Sequence, residues 1–142
     1  MEAHDPRLVE GLRLINEGRY FEAHEVLEDL WMAKVGEDKL FVQALIQADV
    51  GLHHRQNGNH AGAAKLFAYA AAKLGELSRP TIAGIVVSEL AAQIAPLLAE
   101  ARALDSGSVP APDPALCLVV PVDPALPRPR YTIDDRGEVH FL

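Results

Sequence analysis

A chain of 142 residues, 49% hydrophobic and 23% charged, has the length and composition of one folded domain with a sizeable apolar core. Its formal net charge of -7 argues against nucleic acid as a partner, because that affinity is driven by neutralising phosphates with clustered Lys and Arg. The single cysteine, Cys117, permits no intramolecular disulfide and points to a reducing compartment, so a cytoplasmic location is expected. No secretory signal is expected, since the opening residues Met1 to Pro6 carry no basic segment leading into an apolar one. No membrane partner is expected either. The longest apolar-rich region, residues 82–103, is broken by Ser88, Glu89, Gln93, Pro96 and Glu100, short of the ~20 apolar residues of a span.

In chain order, five helices can be read. Asp5 is an N-cap with Pro6 at the first helical position, Leu8, Leu12 and Ile15 form an apolar stripe, and Gly18 ends helix one. Helix two spans about residues 20–34, with Gly36 as its stop. Helix three spans about residues 37–56 and is apolar nearly all round, which predicts a central, buried helix ended by Gly58. Helix four covers about residues 59–77, closed by Ser78-Arg79-Pro80. Helix five covers about residues 81–104, with a kink expected at Pro96. The loops are short, so neighbouring helices should run antiparallel.

Beyond Asp105 the composition changes. Seven of the ten prolines lie between Pro110 and Pro129, which forbids helix interior. Residues 1–105 are therefore read as a helical domain and residues 106–142 as an extended, Pro-rich tail packed on it. Tyr131-Thr132-Ile133 and Val139-His140-Phe141-Leu142 are strand-like, and Asp134-Asp135-Arg136-Gly137 between them is turn chemistry, so a small terminal hairpin is expected. The fold class is all-α: a compact antiparallel bundle of about five helices, two stacked hairpins plus one further helix.

The body also echoes itself. Gly18-Arg19-Tyr20-Phe21-Glu22-Ala23 resembles Gly58-Asn59-His60-Ala61-Gly62-Ala63 at a separation of 40 residues. Each copy puts glycine at a helix stop and a small residue where the next helix crosses, a pattern similar to the turn of tetratricopeptide repeats. Packing alone explains those residue choices.

The chemistry concentrates on helix two. His24 and Glu28 are one turn apart, with Trp31 one turn further on. Glu22, Glu25 and Asp29 are read as a solvated face. On helix three, Gln43, Gln47 and His54 share one side, so His24 and Glu28 are expected to meet Gln47 and His54 across the helix interface. Asn59 either caps helix four or reaches the same region. Three chemistries fit. His24, Glu28 and His54 are candidate ligands of a divalent metal. The same three are candidate catalytic groups, His24 and Glu28 as an acid/base pair, with Trp31, Gln47 and Asn59 binding a small ligand. Alternatively the cluster is a hydrogen-bonded core element that sets helix register and needs no cofactor, the preferred reading of the cofactor question. The pattern is not the zinc-protease His-Glu-x-x-His, because Glu28 stands where the second histidine belongs. His4, His53, His60 and His140 are read as solvated, and Cys117 as an inert strand cysteine.

Phe21-x-Ala-His24-Glu25-x-Leu27-Glu28-x-x-Trp31, then Leu45-Ile46-Gln47, then His54-x-x-x-Gly58-Asn59-x-x-Gly62-Ala63, resembles the family known as domain of unknown function 309 over about residues 5–77. The resemblance implies a small all-helical protein of a mainly bacterial and archaeal family, with no established activity, substrate or cofactor. The motif residues carried over are His24, Glu28, Trp31, Gln47, His54, Gly58 and Asn59. His53 stands where a large aromatic is common, and Asp49 where small apolar residues are usual. The function expected is thus open between a polar site at His24, Glu28, Gln47 and His54 and a helical-hairpin module for a protein partner. A homo-oligomer fits either.

Overall fold

The computed structural model describes residues 1–142. Five helices carry the chain: α1 (Pro6–Asn16), α2 (Tyr20–Met32), α3 (Gly36–Gln56), α4 (His60–Glu76) and α5 (Val87–Asp105). Two small antiparallel pairs accompany them, β1 (Thr81–Ile82) with β2 (Ile85–Val86), and β3 (Tyr131–Ile133) with β4 (Val139–Phe141). The fold is all-α, as the periodicity predicts. No helix is long and apolar enough to cross a membrane.

Local signals set most boundaries. The Asp5 carboxylate accepts the Arg7 N–H at 3.0 Å, capping α1, and Asn59 accepts the Gly62 N–H at 3.0 Å, capping α4. α1 and α3 stop alike. Gly18 and Gly58 sit at φ +76° and +75°, and the residues after them, Arg19 and Asn59, donate back to Leu14 O and His54 O at 2.9 Å each. That is the closure a left-handed residue allows past a helix end.

The two hairpins α1–α2 and α3–α4 rest on matching contacts 40 positions apart. Gly11 faces Leu27, and Gly51 faces the ring of Phe67, so closely that a Cβ would stand 2.5 Å and 2.7 Å from them. Ala23 and Ala63 are both fully buried. Each helix packs on its sequence neighbours, with α3 between α2 and α4. The core draws Leu27 and Leu30 from α2, Phe41 and Leu45 from α3, Phe67 from α4, and Ile94 and Leu97 from α5.

Two expected boundaries differ. Gly36 does not stop α2, which ends at Met32; at φ +62° it opens α3 instead. Helix five begins at Val87 rather than near Thr81, because Thr81, Ile82, Ile85 and Val86 are β-branched and Ala83 and Gly84 both take positive φ, the geometry of a two-residue hairpin turn. α5 then continues through Pro96 to Asp105.

The residues after Asp105 lie against the helices. Leu118 and Val120 are buried and join the core, while Cys117 and Val119 between them face out. The alternation is that of an extended chain on an apolar surface. Arg128 reaches the buried Glu10 of α1, with N–O distances of 2.6 and 3.0 Å. The terminal hairpin forms as its turn chemistry predicts. Asp134 Oδ1 accepts the N–H groups of Arg136 and Glu138 at 2.8 and 2.9 Å, and β4 packs on α2.

Candidate functional site

α2 places His24 beside two carboxylates. Its Nδ1 lies 3.2 Å from Glu25 Oε1 and 3.6 Å from Glu28 Oε2. One ligand atom from each of the three residues lies within 4.8 Å of the others. Glu28 follows from its one-turn spacing. Glu25, read from sequence as part of a solvated face, is instead only 15% exposed at its side chain, because the terminal hairpin closes over it. The signal for Glu25 was adjacency to His24; its partner lies more than 100 positions along the chain.

Between α2 and that hairpin is a cleft of about 380 Å³. Four carboxylates line it, those of Glu25, Glu28, Asp29 and Glu138, against a single guanidinium, Arg136. Met32 and Val139 supply its apolar lining. Such an excess of negative charge favours a cation. The imidazole and its two carboxylates can pass a proton between them, or offer one nitrogen and two oxygens to a metal ion.

The other expected members lie elsewhere. His54 hydrogen-bonds to Asn59, with Nδ1 and Nδ2 3.3 Å apart, and does not join the three-residue group. The residue that stands with His24 and Glu28 in the structure is Glu25. Antiparallel geometry explains why His54 stands apart. Measured from the turn near Lys34, His24 is about ten residues back and His54 about twenty forward, so at 1.5 Å rise per residue they stand ~15 Å apart along the helix axes. Gln47 has its Oε1 buried without a hydrogen-bond partner. Trp31 likewise buries an unpaired Nε1 and holds Lys39 Nζ 4.1 Å over its ring, on the α3 side. Asn59 acts as the α4 cap. Of the histidines read as solvated, His60 has a buried, unpaired Nδ1, and His140 pairs with Asp134 at 2.8 Å. The Asp134 hydrogen bond raises the His140 pKa above its ordinary value. Cys117 is free and exposed.

Asp49 is the other polar finding. It is wholly buried on α3, and neither carboxylate oxygen has a hydrogen-bond partner. Burial pushes its pKa up to about 8. Tyr20 of α2 responds to it: burial, then the Asp49 charge, raise the phenol above its usual range.

Fold and site together define a small all-α protein of two helical hairpins, carrying an acidic cleft with a histidine at its edge. Residues 8–66, from α1 into α4, match the family described as Domain of unknown function (DUF309). No curated protein and no solved structure matches the chain.

Proposed function

We propose that this protein binds a divalent transition-metal ion through His24, Glu25 and Glu28, and receives a small ligand at that ion from the cleft beneath the terminal hairpin. The observation that carries the reading is the approach of three ligand atoms, one imidazole nitrogen and two carboxylate oxygens, to within 4.8 Å of one another. Three protein ligands with open positions left over are what ligand-binding and catalytic metal sites keep, whereas structural sites close all four. An ion seated there replaces the His24–Glu25 hydrogen bond and relieves the crowding of Glu25 and Glu28. His54 has no part in this set.

The test is calorimetric titration of the purified chain with zinc and with cobalt, the cobalt complex also followed by its visible absorption. Saturable one-to-one binding is expected, weakened at least about tenfold by each of His24→Ala, Glu25→Gln and Glu28→Gln. Glu22→Gln, on the same helix but paired with Arg19, should bind as the parent does. Absence of binding, or binding indifferent to the three substitutions, overturns the proposal.

A protein-binding role has one observation in its favour. Phe21, Met32 and Val35 are 62%, 73% and 82% exposed along α2 and its following turn. Phe21 and Met32 share a face with Glu25 and Glu28 at helical spacing. In that reading the polar cluster is a structural or docking element, and Phe21→Ser with Met32→Ser abolishes partner binding while leaving metal affinity unchanged.

A further inference from the structure

The helix row α1 to α5 leaves its two ends apart, and the tail bridges them. Asn16 of α1 donates from Nδ2 to Val120 O at 2.7 Å and accepts the Val120 N–H on Oδ1 at 3.0 Å. Gln93 of α5 does the same for Val119, donating from Nε2 to its O at 3.0 Å and accepting its N–H on Oε1 at 2.9 Å. Two carboxamides thus satisfy every main-chain group of two successive residues, the task a neighbouring β-strand performs in a sheet. Leu118 and Val120 point inward to the core, and Cys117 and Val119 point out. Arg13 continues the clamp by donating to the carbonyls of Asp123, Leu126 and Pro127 at 3.2, 2.6 and 3.4 Å. This is how an extended peptide is bound: main chain for affinity, alternate side chains for register.

We propose that the groove between α1 and α5 is a binding site for an extended peptide, filled here by the chain's own residues 116–122, and that its partner in trans is the same segment of a second copy of this chain. Residues 106–115 leading into the segment are exposed throughout and place no side chain in the core. Their only tether to the body outside the helix end is Asp113, held through its main chain by Glu100 and Arg55. Every contact of the docked segment forms equally well when the segment comes from another molecule, the condition for exchange between copies. Solvent-open clefts of about 150 Å³ beside Gln93, Val120 and Pro121, and about 180 Å³ beside Leu8, Pro121 and Val122, flank the segment. A short linker holds the cis segment at an effective concentration of order millimolar, so exchange with a second copy competes only at comparable protein concentration or when the linker is cut short.

Two experiments on the full chain test the proposal. In Leu118→Asp with Val120→Asp the tail is disabled as a ligand, and the opened groove should bind a fluorescent peptide of residues 114–124. Adding Asn16→Ala and Gln93→Ala should weaken that binding by at least about tenfold. A folded double-aspartate chain that ignores the peptide, or that binds a scrambled peptide equally, overturns the proposal. Independently, deleting residues 107–115 leaves five residue steps from Asp105 to Val119, about 17 Å of extended chain, too little to turn back over the ~18 Å of α5 that separates Asp105 from Gln93. Light scattering should then report a dimer in which the Val119 and Val120 amides remain protected from exchange. A monomer with those amides protected overturns the exchange between copies.

Discussion

The Glu25 carboxylate of α2 is seated against the main chain of Gly137 in the terminal hairpin, so closely that a Cβ at Gly137 would stand 2.5 Å from Glu25 Oε2. The hairpin turn and the helix that bears the candidate ligands are thus one unit, although they stand at opposite ends of the sequence. The contact also explains why Glu25 leaves solvent and turns to His24.

Gly137→Ala tests that relationship. Gly137 lies at φ +80°, where a side chain costs about 1–2 kcal/mol, and the new methyl also displaces Glu25. Global stability should fall by no more than about 2 kcal/mol, while the amides of residues 131–141 exchange much faster than in the parent. Unchanged exchange there would show that the hairpin does not depend on this close approach.

Asp49→Asn should make stability less dependent on pH. The Asp49 pKa is raised in the folded protein, to about 8, above an unfolded value near 3.9. The folded state therefore holds a proton that the unfolded state has lost, and the parent loses stability as pH rises from about 4 through 8. At neutral pH the burial costs about 4 kcal/mol. The asparagine variant should equal the parent near pH 4 and exceed it increasingly up to pH 9, read as a growing gap in melting temperature. A gap that stays constant with pH would refute the assignment.

Gly51 and Gly75 make an opposed pair. Gly51→Ala puts a methyl group 2.7 Å from the Phe67 ring and should destabilise by about 1–3 kcal/mol. Gly75, near the end of α4, has nothing within 4 Å of its missing Cβ and no positive φ. Gly75→Ala should stabilise by about 0.4–1 kcal/mol through the unfolded chain. Denaturant midpoints of the two variants should move in opposite directions, and a shift of both the same way would contradict the packing.

Asn59→Ala removes the cap of α4 and should cost about 1 kcal/mol, while leaving metal affinity at His24 unaltered. Loss of that affinity would return His54 and Asn59 to the site.

Helix identity was legible wherever the cause is local. Asp5-Pro6, Gly18, Gly58-Asn59 and Ser78-Arg79-Pro80 each act on main chain within a few residues, so they can be read without knowing the fold. The 40-residue echo was equally readable, because Ala23 and Ala63 are small for the same reason, the crossing of the next helix. Residues 81–86 misled, since an apolar β-branched run suits a helix or a strand until Ala83 and Gly84 are seen to turn.

The sequence by itself determined an all-helical chain, its hairpin spacing, the terminal β-hairpin and the approach of Glu28 to His24, because each depends on residues close together along the chain. Only the tertiary structure decided that Glu25 completes the group and His54 does not, that Asp49 is buried without a partner, and that Asn16 and Gln93 hold Val120 and Val119. Those outcomes depend on how far along an antiparallel neighbour a residue falls and on which distant segment covers it, and no local pattern encodes either.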